Sequence, residues 1–143
     1  MKSIVKRVTI VTRRETELID ITDRVRSEVE AAGVRSGTVF VLSLHTTTGI
    51  TVNEGLPDLE ADIASLLECL APEDRPYRHA RFLHQDGQMA INAPSHLRGA
   101  LLGFQIFFPI EKGEMLTGAR QRIYFAELDG PQERTYVIQI LGE

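Results

Sequence analysis

Polar residues able to do acid–base, metal or anion chemistry crowd into three short stretches of this chain. The first is Ser43-Leu44-His45-Thr46-Thr47-Thr48-Gly49, continuing through Ile50-Thr51-Val52-Asn53-Glu54. An apolar strand running out into three hydroxyls and a glycine offers several donors and a backbone that a ligand can approach closely. Such a nest suits an oxyanion such as phosphate. Turn capping and β-propensity explain the threonines equally well, and His45 beside them tips the reading toward function. The second stretch is Tyr77-Arg78-His79-Ala80-Arg81, with His84 and Asp86 behind it. The third is Asn92-Ala93-Pro94-Ser95-His96, where Asn92 or Ser95 can cap a helix whose first turn holds His96. A helix N-terminus favours an anion and keeps a nearby imidazole neutral, fit to act as a base or a metal ligand.

Two chemistries follow from one polar site centred on His45, His79 and His96. These three could act as general acids or bases together with Glu54. Three histidines and a carboxylate also match the first shell of a divalent metal, zinc or magnesium, held by His45, His79 and His96. Thr46, Thr47, Asn53, Asn92 and Asp58 would then be the ligand-binding residues. Glu54, Asp58 and Asp62 recur every fourth residue and so share one helical face. A solvated acidic face is the simpler account of them, and capping alone accounts for Asp58. His84 has no rigid element to support it and reads as a solvated bystander. There is no P-loop, G-x-G-x-x-G, H-E-x-x-H, C-x-x-C or G-x-S-x-G, so local motifs do not name a reaction.

The elements that must position these groups read as α+β. Strands are expected at 3–11, 37–44, 50–53, 104–110, 120–128 and 134–141, and helices at 23–32, 58–70 and 95–102. Thr22 caps the first helix and Gly33 ends it. Asp58 caps the second, whose buried stripe is Leu59, Ile63, Leu66, Leu67 and Leu70, and Cys69 beside it reads as a small buried hydrophobe. Residues 71–91 carry the weakest pattern and read as a long loop or irregular hairpin, and loops of that length are usually functional. Glu111-Lys112-Gly113-Glu114 and Asp129-Gly130-Pro131 carry hairpin-turn chemistry.

The 143 residues fit one domain, with no linker or repeat to divide residues 1–143. An apolar share of 43% and a charged share of 25% are ordinary for a globular chain. A net charge of −4, with scattered cations, gives no face for nucleic acid. The N-terminus alternates and does not form a signal sequence, and no apolar run spans a membrane. A cytoplasmic location is therefore expected. The late strands Phe104-Gln105-Ile106-Phe107-Phe108 and Tyr136-Val137-Ile138-Gln139-Ile140 hold more apolar surface than one thin sandwich needs, which predicts that copies of the chain associate.

Together and in order, these stretches resemble the YjbQ family. The pattern reads His45-Thr46-Thr47-Thr48-Gly49-Ile50-Thr51-Val52-Asn53-Glu54, then Asp58 and Asp62, then Tyr77-x-His79. It continues with Asn92-Ala93-Pro94-Ser95-His96-Leu97, Leu101-Leu102-Gly103, Gly118-x-x-Gln121-x-Ile123 and Glu127-x-Asp129-Gly130-Pro131. The resemblance implies a two-sheet β-sandwich of about seven strands flanked by helices, assembled as a trimer with the polar pocket near subunit contacts. It also implies a thiamine-phosphate synthase-like transferase acting on a small phosphorylated molecule. The chain departs from the pattern at Ala119 and Arg120, where the family commonly has threonine and tryptophan. It departs again at Gln132, where an arginine is usual, with Arg134 two residues on.

Two rival readings use the same residues. One is a metal-dependent hydrolase with water at an open metal position. The other is a non-catalytic trimeric module that binds a metabolite or metal.

Overall fold

The computed structural model describes residues 1–79 and 91–143. Its elements are β1 (Lys2–Val11), β2 (Glu17–Asp20), α1 (Thr22–Ala32), β3 (Ser36–Ser43), β4 (Thr48–Glu54) and α2 (Pro57–Leu70). They continue with α3 (Ala93–Leu102), β5 (Gln105–Glu111), β6 (Glu114–Met115), β7 (Gln121–Glu127) and β8 (Glu133–Gly142). The strands form two antiparallel sheets: a five-stranded one in the order β1-β8-β3-β5-β6, and a three-stranded one in the order β2-β7-β4. The α+β class and the two-sheet sandwich flanked by helices are as the sequence implies. Eight strands stand among the described residues, with β2 and β6 added to those expected.

Alternation decides which face each strand buries. In β8, Arg134, Tyr136, Ile138 and Ile140 point inward, and in β3 Val39 and Val41 do the same. They meet Ile50, Ile123 and Phe125 of the smaller sheet and Val25 and Val29 of α1 in one core. The other face of the smaller sheet presents Ala126, with Leu128 just beyond the strand, to Leu67 and Ile63 of α2 and Leu102 of α3. Leu66 and Leu70 were expected in that stripe but are more than half exposed, and Cys69 is exposed too. The apolar arc of α2 is wider than the face it buries.

Several local expectations are corrected. Thr22 is the first residue of α1 and does not cap it. Its hydroxyl donates to Asp20 Oδ1 at 2.6 Å and accepts the Ile123 N–H at 2.7 Å, tying α1 to β7. Asp58 lies in the first turn of α2, which Pro57 opens. The Glu111–Glu114 turn is a hairpin, with Lys112 and Gly113 at positive φ. The Asp129-Gly130-Pro131 turn is a crossing between sheets, because β7 and β8 belong to different ones. Among the described residues no helix is long and apolar enough to cross a membrane.

Candidate functional site

Three chain segments pass from one sheet to the other at the same end of the sandwich: residues 12–16, 44–47 and 128–132. Their backbones bond to one another directly. The Thr12 N–H donates to Gln132 O at 2.9 Å, Gly130 N–H to Glu15 O at 3.0 Å, and Leu128 N–H to Thr47 O at 3.2 Å.

Inside this corner lies an ion pair closed off from solvent. Arg134 donates from Nε to Glu127 Oε2 at 2.7 Å and from Nη2 to Oε1 at 2.6 Å. Glu127 is 0% exposed and Arg134 4%. The Thr12 hydroxyl and the Asp129 N–H complete the carboxylate shell at 3.0 and 2.9 Å, and Arg134 Nη2 also reaches Thr47 Oγ1 at 2.8 Å. Burial works against the charged carboxylate. The Arg134 guanidinium, the Asp129 N–H and the Thr12 hydroxyl outweigh it and hold Glu127 below the usual carboxylate range. One pair thus joins β7 of the smaller sheet, β8 of the larger, and the loops that carry Thr12 and Thr47.

His45 belongs to this corner. Its Nε2 accepts the Thr135 N–H at 2.9 Å, so the neutral ring carries its proton on Nδ1. Burial and the nearby Arg134 charge push its pKa below 6.5, against the pull of Glu127. Two of the three threonine hydroxyls are consumed by the fold. Thr47 accepts from Arg134, while the Thr48 hydroxyl shares a 2.5 Å bond with Ser43 Oγ, which also takes the His45 N–H. Of the three hydroxyls only Thr46 is exposed.

His79 and His96 meet each other. Their rings pack edge to face, with centroids 5.0 Å apart, in a cleft of about 490 Å³ lined by Tyr77, Arg78, His79, Ala93, His96 and Leu97. The Tyr77 hydroxyl donates to Pro72 O at 2.7 Å, fixing one wall. The buried Arg98 donates twice to Ala71 O, at 3.0 and 2.8 Å, and ties α3 to the end of α2. Asn92 occupies the N-cap position without capping. Its amide turns aside and donates to Asp129 Oδ2 at 2.9 Å.

The structure brings together His79 and His96 of the expected constellation, and His45 does not line their cleft. Among the described residues no three His, Cys, Asp or Glu side chains stand together to hold a metal ion, so His45, His79 and His96 form no metal site within one chain. Within one chain, the described residues do not assemble the zinc or magnesium centre that the sequence suggests. Glu54 lies away from the histidines, paired with Arg120 at 3.2 Å. Asn53 and Asp58 are exposed, and Asn53 Oδ1 accepts the Glu54 N–H. His84 and Asp86 lie outside the described residues. Sequence reasoning did not select Glu127, Arg134 and Asp129 as site residues. The available signal was a charged residue inside an apolar strand, Glu127 between Ala126 and Leu128.

Comparison with known proteins settles the family. The family model described as UPF0047 protein YjbQ-like matches residues 6–143. The chain belongs to the YjbQ-like UPF0047 family. A UPF0047 protein of Archaeoglobus fulgidus is 39% identical over 134 residues, covering 94% of this chain and 98% of the relative. One from Methanothermobacter thermautotrophicus is 41% identical, covering 92% and 87%. The crystal structure of a YbjQ-like protein of unknown function from Sulfolobus solfataricus superposes with a TM-score of 0.91 at 33% identity, over 99% of each chain. These family members are named without an activity, and the solfataricus protein is stated to have no known function. The expectation of a thiamine-phosphate synthase-like enzyme acting on a phosphorylated molecule is corrected accordingly. With the Thr47 and Thr48 hydroxyls turned inward, the phosphate nest it relied on is also unsupported.

Proposed function

We propose that this YjbQ-like domain binds a small organic acid in the His79–His96 cleft. The carrying observation is the paired imidazoles on a mainly apolar cleft with no carboxylate among its described lining residues. A cleft of about 490 Å³ lies within the size range of small-molecule sites. Tyr77, Ala93 and Leu97 supply apolar walls for a planar or aliphatic body. The two imidazoles and Arg78 are donors suited to one carboxylate. The first turn of α3 also carries no acid to oppose an anion.

The test is an NMR titration read at the ring resonances of His79 and His96, using 2-naphthoate as probe and 2-naphthalenemethanol as its uncharged counterpart. The expected result is that naphthoate moves both rings and the alcohol binds at least roughly tenfold more weakly, since it lacks the charge-assisted bonds. Unmoved rings at millimolar naphthoate would exclude the reading.

The large apolar side chains left exposed support a second part of the proposal, assembly as a homotrimer. Phe107 is 65% exposed on the outer face of the five-stranded sheet, which no described helix covers.

A further inference from the structure

We infer that Asp129 is a positioning residue that sets the cleft from the buried corner, by holding the first turn of α3 through Asn92. The inference rests on the His79–His96 cleft being the binding site.

Asparagine at an N-cap ordinarily accepts a bond from its own helix. Asn92 makes no such bond, and its side-chain amide donates instead to Asp129 Oδ2 at 2.9 Å. Asp129 is itself held, because its N–H donates to Glu127 Oε1 at 2.9 Å. Glu127 in turn is fixed by Arg134 and Thr12 on its remaining lone pairs. A continuous chain of bonds therefore runs from the ion pair joining the two sheets to the residue at the start of α3. His96 is one turn further on, and its N–H bonds Asn92 O at 3.3 Å. The middle of the same helix is anchored separately, where Gly99 presses against Thr48 O of β4. With one anchor at each position, a change at Asp129 lets the first turn shift while Gly99 still holds the helix on the sheet. The cleft wall made by Ala93, His96 and Leu97 moves with that first turn.

The test compares Asp129→Ala with the exchange Asn92→Asp/Asp129→Asn, which reverses donor and acceptor but keeps the bond. Two quantities are read on folded protein: the ring resonances of His96 without any ligand, and the dissociation constant of 2-naphthoate. Asp129→Ala should shift the His96 resonances and weaken naphthoate roughly tenfold, because the cleft wall is no longer held ready for the ligand. The exchange should return both toward the parent values. His96 resonances that stay in place in Asp129→Ala, or that the exchange fails to restore, would overturn the inference. If Asp129→Ala does not fold, the exchange decides alone: displaced His96 resonances count against positioning, parental ones support it. Should naphthoate bind no variant, parent included, the binding proposal fails while the ligand-free resonances still decide the role of Asp129.

Discussion

Arg134 holds both carboxylate oxygens of Glu127, at 2.7 and 2.6 Å, across the gap between two sheets. The pair carries no exposed surface to speak of, and Thr12, Thr47 and the Asp129 N–H satisfy what remains. Removing one partner leaves a buried charge without its counterpart, which costs far more than the pair contributes net. Glu127→Ala should lower the unfolding free energy by about 3–5 kcal/mol. Joint replacement of Glu127 and Arg134 by leucine and methionine should cost less than that single change. Urea denaturation of the three proteins checks the order. A double variant weaker than Glu127→Ala would show that the pair stabilises by more than mutual neutralisation.

The His45 imidazole gives stability a pH dependence whose sign is fixed. Its folded pKa lies below the ordinary 6.5, so between those two values the unfolded chain takes up a proton that the native chain does not. The stability it contributes is complete above about pH 6.5 and is lost as pH falls through the folded value. Glu127 acts in the same direction, but only below 4.5. His45→Gln keeps an acceptor near the Thr135 N–H and cannot titrate. The drop in denaturation midpoint from pH 7.5 to 5.5 should therefore be smaller in His45→Gln than in the parent chain.

Substitution of the histidines should separate the two places where they stand. His96→Ala and His79→Ala remove walls of the cleft and should weaken 2-naphthoate at least roughly tenfold, with stability changed by no more than about 1–2 kcal/mol. His45→Ala should leave naphthoate affinity nearly unchanged, because its ring serves the Thr135 backbone. Equal losses from His45→Ala and His96→Ala would restore the single-site reading that the sequence suggests.

That single-site reading shows where the sequence is legible and where it stops. Strands rich in β-branched residues, such as β1 and β8, could be placed within a residue, since that composition favours extended backbone. Glu17–Asp20 could not, because four residues ended by charges become a strand only by pairing with β7. The sequence groups His79 with His96, and the structure brings their rings together. The sequence groups His45 with them too, because order along the chain does not say toward which neighbour a side chain turns. The Glu127–Arg134 pair escaped selection for a related reason. A turn that reads locally as a hairpin is in fact a crossing between sheets, and that crossing puts the pair in the interior between them.

Gly99 should tolerate no side chain. A Cβ there would lie 2.7 Å from Thr48 O and 3.4 Å from Thr46 O, backbone atoms that cannot turn aside. Gly99→Ala must push α3 off β4, which outweighs alanine's better helix propensity and should cost about 1–3 kcal/mol. Thermal denaturation gives the magnitude, and displaced His96 ring resonances would show that the helix has moved. A variant as stable as its parent would mean that α3 can slide freely on the sheet.

Two apolar surfaces compete to be the contact between copies of the chain. One is the outer face of the five-stranded sheet, where Phe107 lies 65% exposed with its ring 6.0 Å from that of Phe40. The other is the outward side of the helices, where Leu66, Leu70, Leu97 and Leu101 are each 45–58% exposed. Soluble monomers seldom leave patches of this kind uncovered. Sedimentation equilibrium at micromolar concentration should give three times the 16.0 kDa chain mass. Phe107→Asp and Leu66→Asp then tell the surfaces apart, since a charge dissociates the assembly only if it falls inside the contact. The sheet face should prove to be the contact, because its residues are fixed on adjacent paired strands and lose little freedom on association. Phe107→Asp is therefore expected to sediment as a monomer and Leu66→Asp as a trimer. The opposite pattern would move the contact to the helices, and a parent chain of single mass would remove the trimer altogether.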